Sequence, residues 1–148
     1  MCSSDLFAAP AQLVAPGGQA AGSPFMAINS ALEVDLYGQA NAEFAGSRYA
    51  GAVGGQSDYF RAARRSPGGL AIVALAASFG AVSKSRVVAR IASAYVTAAQ
   101  SDIDVLVTEY GVADIRATTL AERRRLITAL AEPQFRAALD QGEEQILA

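Results

Sequence analysis

The run from Leu70 to Ala77, within "GGLAIVALAASFG", is the feature that most constrains what this chain can fold into. Glycines bound the run on both sides, and it is far shorter than the roughly 20 apolar residues that cross a bilayer. Neither of its faces carries a polar side chain, so the run predicts a strand that is buried on both sides. Such strands are typical of a parallel sheet covered by helices.

Other predicted strands and helices follow one another around this run. In "INSALEVDLYG", apolar positions such as Leu32 and Val34 alternate with polar ones such as Asp35, which predicts a strand with one wet face. Further strands are predicted around residues 48–52, 85–91 and 103–109, and helices from Ser57 or Asp58 to about Arg65, from Thr119 to about Ala131, and from Pro133 onward. The order predicts an α/β fold, layered, with a mostly parallel sheet flanked by helices.

The second predicted helix has the clearest start signal. Thr119 and Glu122 have the spacing of a capping box, and Leu120, Ile127 and Leu130 are predicted to face the core. The arginines at 123–125 are interpreted as a solvated face. Arg61, Arg64 and Arg65 on the first helix could bind phosphates, although a solvated face is the favoured interpretation for them too.

The start of the chain differs from the rest. Residues 1–25 are rich in Ala, Pro and Gly and predict an irregular lead-in, whereas residues 26–148 form the predicted domain. The peptide "CSSDL", from Cys2 to Leu6, resembles the translation of a common sequencing-library adapter. We therefore expect an artefact there and a native gene that began earlier, although a chance match is the alternative.

Composition excludes several classes of protein. With 148 residues, of which 52% are hydrophobic, the chain is long enough for one core. Its 12 basic and 14 acidic residues are nearly balanced, so neither nucleic acid nor a membrane surface is an expected partner. No basic segment precedes an apolar one at the start, and a cytoplasmic location is the expectation.

The absence of histidine limits the chemistry. The sequence has no histidine and Cys2 is its one cysteine, which excludes a Ser-His-Asp relay, a Cys-His pair, a thiolate zinc site and an internal disulfide. No metal site is expected. Any chemistry must come from carboxylates, hydroxyls, backbone amides, lysine and arginine.

Two segments are candidates for such chemistry. The loop "AVGGQSD" combines flexible glycines with the start of a helix, which suits an anion or an oxyanion, although its spacing alone favours a tight turn. Glu109, in "VTEYG", emerges from a predicted buried strand. It could act in catalysis or could be an ion-pair partner of Arg116 or Arg86, and the sequence leaves both interpretations open.

A series of strings between Met26 and Leu139 resembles the C-terminal domain of the acetyl-CoA hydrolase/transferase family. The strings are "AINSALEVDLYGQANAEFAGSRYAGAVGGQSDYFRAARRSPGGLAIVALAAS", "SRVV", "VTEYGVADIR", "TLAERRRLI" and "EPQFRAAL". The family includes acetate, succinate, propionate and 4-hydroxybutyrate CoA-transferases. The resemblance implies one half of a two-domain enzyme, with the fold of a CoA-transferase or NagB-RpiA-like half.

The resemblance also implies a mechanism and its partners. In the family, a glutamate attacks acyl-CoA and forms an acyl-glutamyl anhydride, which the released CoA thiolate converts to a glutamyl-CoA thioester. A second carboxylic acid then accepts the CoA in transferases, and water attacks instead in hydrolases. That glutamate belongs to an "HTE"-like motif that this chain lacks. We therefore expect the chain to be inactive alone and to need an N-terminal domain. Acyl-CoA and a small carboxylate are the implied ligands, and a homodimer is the implied full-length assembly.

Several residues match family positions. The resemblance implies that the backbone of Gly55 faces CoA and the reacting carbonyl, that Glu109 is an auxiliary active-site glutamate, and that Leu32 lines the CoA site. Asn29, Gly54 and Gln56 are their neighbours, and Lys84 is the candidate for a CoA-contacting lysine. Asp58 is then interpreted as a helix cap.

Some alternatives stay open. A non-catalytic α/β module that binds a nucleotide or another anion is the alternative function. The sequence leaves open which acid and which acyl-CoA are used, and whether the enzyme is a hydrolase or a transferase. Exposed apolar surface is expected where the absent domain would dock.

Overall fold

The computed structural model describes residues 24–52, 54–80, 83–93 and 95–141. The adapter-like peptide and most of the predicted lead-in lie outside these residues. The strands are β1 (Met26–Asn29), β2 (Glu33–Asp35), β3 (Ala40–Asn41), β4 (Phe44–Ala45), β5 (Arg48–Tyr49), β6 (Leu70–Ala74), β7 (Ser78–Phe79), β8 (Lys84–Ser85), β9 (Val87–Val88), β10 (Val105–Thr108) and β11 (Gly111–Asp114). The helices are α1 (Gln56–Arg65), α2 (Leu120–Ala129) and α3 (Pro133–Gln141).

The largest sheet has four strands in the order β1-β6-β10-β11. Strand β6 pairs in parallel with both β1 and β10, and β11 returns antiparallel along β10. The mostly parallel sheet with flanking helices is confirmed. Strand β6 is shorter than predicted, because its pairing ends at Ala74 and the chain then turns into a small hairpin of β7 and β8.

The two faces of this sheet differ. One face joins Phe60 and Ala63 of α1 in the hydrophobic core. Its sheet residues are Ala27, Ala71, Val73, Leu106 and Ala113. The other face is apolar but open, since Ile28 is 65% exposed and Val112 is 68% exposed. Within the described residues, helices therefore cover one side, where the sequence predicted burial of both.

Strand β2 belongs to a three-stranded sheet with β3 and β9. Val34 is fully buried, as its place in the alternating pattern predicted. The prediction of a wet face was wrong at Asp35, which is also fully buried. Its carboxylate accepts hydrogen bonds from the backbone N–H groups of Tyr37 and Gln39, so it holds the turn that ends the strand rather than facing water.

Helix α1 begins earlier than its sequence predicted. Its N-cap is Gly55, whose lack of a side chain leaves the helix start without a side-chain cap. Ser57 and Asp58 lie in the first turn, so the interpretation of either as the cap was wrong. Gly54, with φ of +57°, turns the chain directly into the helix, a conformation that glycine adopts without strain.

The capping box of α2 is confirmed. Thr119 Oγ1 accepts the N–H of Glu122, whose carboxylate in turn accepts the N–H of Thr119. Ile127 and Leu130 are buried as predicted, but Leu120 is 44% exposed because it lies at the first position of the helix. The predicted final helix begins at Pro133.

Candidate active site

The carboxyl ends of the three parallel strands β1, β6 and β10 meet at one edge of the four-stranded sheet, where ligands bind in open α/β folds. Asn29 is the last residue of β1, and Glu109 directly follows β10. Glu109 is exposed, and its Oε2 accepts the N–H of Ala77 at 2.8 Å. This bond fixes the Glu109 carboxylate beside the chain that leaves the neighbouring strand β6.

Neither arginine that the sequence offered as a partner pairs with Glu109. Arg116 pairs instead with Asp114, with its Nη2 2.6 Å from Asp114 Oδ2, and this bond lowers the pKa of Asp114. Within the described ranges, no lysine or arginine forms a salt bridge with Glu109. The ion-pair interpretation of Glu109 is therefore wrong, and its partner is a backbone amide.

The glycine loop precedes α1. Because the chain passes from β1 through α1 to the parallel strand β6, the start of α1 lies towards the same carboxyl edge. Gly54 needs its positive φ for the turn, but Gly55 has φ of −94° and does not. A Cβ on Gly55 would lie 3.1 Å from the ring of Tyr59, which would have to move by a few tenths of an ångström to make room.

Gln56 is the first residue of α1 and is buried, with 6% of its surface exposed. Its Nε2 finds no hydrogen-bond partner within the part of the chain that the structure describes. A buried amide without a partner is costly. The start of α1 thus combines backbone N–H groups at the positive end of a helix with the Gln56 side-chain amide, whose Nε2 has no acceptor among the described residues.

Leu32 and Lys84 come from distant parts of the chain and line one pocket, whose volume is about 620 Å³. The volume is typical of a site for a small molecule or cofactor. The pocket is also lined by Phe44, Phe79 and Arg86. It therefore has two cationic side chains among aromatic ones.

Asn29 lies elsewhere, in a groove that it shares with Tyr59 of α1. Tyr59 also packs beside Gly55, so it links Asn29 with the glycine loop. Glu109 is linked to the pocket by Ala77. The N–H of Ala77 donates to Glu109, and its carbonyl accepts the N–H of Arg86 at 2.8 Å.

Sequence reasoning missed Phe79 and Arg86 as residues that line the pocket. The signal was present for Arg86, because Lys84 and Arg86 are two residues apart and alternate positions of an extended chain point the same way. The string around Arg86 was interpreted as a strand, with no ligand assigned to its side chains. Phe79 had no signal, since its position depends on the pairing of β7 with β8.

Three other arginines contact neighbouring side chains within the chain. Arg61 lies 3.8 Å from Asp102, and Arg64 lies 3.3 Å from the buried Asp104. Arg124 is buried, which makes the prediction of a solvated arginine triple wrong at that residue. Its guanidinium lies over the ring of Tyr37, at 5.5 Å.

The model of the acetyl-CoA hydrolase/transferase C-terminal domain matches residues 6–142. The chain belongs to this family. The 4-hydroxybutyrate coenzyme A transferase of Clostridium kluyveri is 40% identical over 115 residues, which are 77% of this chain and 27% of that protein. The acetyl-CoA hydrolase of Saccharomyces cerevisiae is 33% identical over 129 residues, covering 77% of this chain and 22% of the relative.

A solved family structure has the same fold. RipA from Yersinia pestis superposes with a TM-score of 0.75 at 34% identity, over 82% of this chain and 27% of that one. The chain thus spans about a quarter of the length of these relatives. Among the described helices, each is too short or too polar to span a membrane.

Proposed function

We propose that this chain forms part of the CoA pocket of a CoA-transferase or acetyl-CoA hydrolase. The observation that carries the proposal is the meeting of Leu32 and Lys84 in one pocket. The family resemblance matches Leu32 to a position that lines the CoA site, and it makes Lys84 the candidate for a CoA-contacting lysine, although the two lie some fifty positions apart in the chain. Membership of a family whose named members act on CoA esters supports the same assignment.

In this proposal the reaction takes place at the carboxyl edge of the sheet. The backbone N–H groups at the start of α1 stabilise negative charge on the reacting carbonyl. Gly55, the N-cap residue, provides the first of them. Glu109 is the auxiliary carboxylate, oriented by Ala77. The nucleophilic glutamate comes from an N-terminal domain of the same polypeptide, and the full-length protein is a cytoplasmic homodimer that uses acyl-CoA and a small carboxylate.

Binding of CoA to the 148-residue chain tests the pocket. We expect calorimetry to detect CoA binding, and we expect Leu32→Glu to weaken it at least about ten-fold, because a carboxylate in the pocket would repel the phosphates. Leu120→Glu, the same substitution at an exposed position of α2, is the matched control and should bind as the unmodified chain does. Absence of CoA binding, or equal weakening by both variants, would contradict the proposal.

Glu109→Gln tests the carboxylate in a full-length protein that contains this domain. The glutamine oxygen can still accept the N–H of Ala77, so the fold should persist while the charge is lost. We expect kcat to fall by about a hundred-fold, the scale of a lost acid-base group. Asp114→Asn, at an exposed carboxylate, is the control. Unchanged turnover in Glu109→Gln would leave Glu109 with a structural role alone.

A further inference from the structure

Arg86 lines the pocket but has no carboxylate partner among the described residues. Its guanidinium carbon lies 5.3 Å from the centre of the Phe79 ring. Its Nε is buried and has no hydrogen-bond partner within the described ranges. The salt bridges found among those residues involve other arginines. Arg86 therefore carries a positive charge, partly removed from water, that no carboxylate of the described chain neutralises.

The backbone holds Arg86 in place from two sides. Its N–H donates to the carbonyl of Ala77, and its carbonyl accepts the N–H of Val34, both at 2.8 Å. The aromatic ring of Phe79 adds a contact with the planar guanidinium. The side chain thus starts from a fixed point, which lowers the entropy lost when it binds a ligand.

The charges around the pocket favour an anion. Lys84 and Arg86 both line it, together with one carboxylate, that of Glu33. The Glu33 carboxylate already accepts a hydrogen bond from Asn41 Nδ2 at 2.8 Å. An arginine fork matches the oxygens of a phosphate group, whereas a lysine supplies only a point charge. The pocket is also far larger than a small carboxylic acid requires.

We propose that Arg86 binds a phosphate group of CoA, with Lys84 as a second, more mobile cation. The inference rests on the proposed function and extends it, because it names the part of the substrate that this pocket recognises. The phosphate is either the 3′-phosphate of the ribose or the pyrophosphate, which share the same chemistry. Binding it would supply the countercharge that Arg86 lacks among the described residues.

The test is calorimetric binding to the full 148-residue chain with three probes: CoA, 3′-dephospho-CoA and pantetheine. We expect Arg86→Met to weaken CoA binding by about ten-fold or more, the scale of a charge-assisted hydrogen bond. Pantetheine, which has no phosphate, should bind equally well to the unmodified chain and to Arg86→Met. If the loss disappears with 3′-dephospho-CoA, the 3′-phosphate is the group recognised, and if the loss persists, the pyrophosphate is.

Two further variants keep the test decisive. Arg90→Met removes an exposed arginine that does not line the pocket, and it should leave CoA binding unchanged. Arg86→Lys keeps the charge but loses the fork, and it should bind CoA several-fold more weakly even if Arg86→Met does not fold. CoA binding that is unchanged in Arg86→Lys and Arg86→Met, or an equal loss of pantetheine, would overturn the inference while leaving the proposed function in place. A chain that binds no CoA at all would overturn both.

Discussion

Two aspartates are buried in different sheets, and the chain stabilises them in different ways. Asp104, just before β10, has Arg64 at 3.3 Å, and its Oδ2 accepts the N–H of Ala71 at 2.9 Å. Asp35, in β2, has no cationic partner among the described residues. It accepts backbone N–H groups alone, including that of Ile91 at 3.4 Å.

The difference shows two ways of keeping a carboxylate in a core. An arginine supplies a full countercharge, and it stays half in water itself. Backbone amides supply only partial charges, and they cannot offset the loss of water completely. Burial accordingly raises the pKa of Asp35 above its ordinary value of 3.8, although hydrogen bonds from Gln39, Ile91 and Tyr37 oppose the rise.

The largest expected effect is at Asp104. Asp104→Ala would leave Arg64 without its partner and the buried N–H of Ala71 without an acceptor. We expect the free energy of unfolding to fall by about 2–3 kcal/mol, less than for a fully buried pair because Arg64 is partly exposed. Urea unfolding measures the loss. Asp102→Ala, which removes a more exposed pair with Arg61, should cost below about 1 kcal/mol.

An equal loss in the two variants would show that burial of the pair with Arg64 adds nothing to stability. A fall seen only for Asp104→Ala would instead confirm that the pair is part of the core.

The smaller expected effect is at Asp35 and depends on pH. Because its pKa is raised in the folded state, the native protein binds this proton more tightly than the unfolded chain does. The contribution of Asp35 to stability is therefore greatest below about pH 3.8, and it is lost as pH rises through the higher native pKa. Asp35→Asn has no titrating group at this position. We therefore expect its free energy of unfolding to increase relative to that of the unmodified chain as pH rises through the native pKa of Asp35.

Urea unfolding between pH 4 and pH 7 tests this difference. Asp114→Asn is the control, since Arg116 lowers the pKa of Asp114 and its contribution is lost only as pH falls below 3.8. The control should run parallel to the unmodified chain over most of this range. Parallel profiles for Asp35→Asn as well would show that backbone amides stabilise the charge as fully as an arginine does.

The two aspartates also show what the sequence could and could not predict. The apolar run around Leu70 and the capping box at Thr119 are local patterns, and the structure confirms a strand and a helix start there. The burial of Asp35 was missed because alternation reports which face a residue points to, whereas its partners come from a turn and from Ile91, far along the chain.

The candidate site has the same limit. Family resemblance matched Leu32 to a CoA-lining position and offered Lys84 as the candidate lysine, and both line the pocket. The roles of Phe79 and Arg86 depended on the packing of a two-residue hairpin, which no local pattern specifies. The roles assigned to Gly55 and Glu109 stay predictions.

Ala77 has a consequence for how the two parts of the proposed site are spaced. Its N–H is bonded to the Glu109 carboxylate and its carbonyl to the N–H of Arg86. Glu109 and the backbone of Arg86 are thus both bonded to one residue of the chain that leaves β6. The distance between the proposed carboxylate and the proposed phosphate contact is therefore set in part by the local backbone geometry of Ala77.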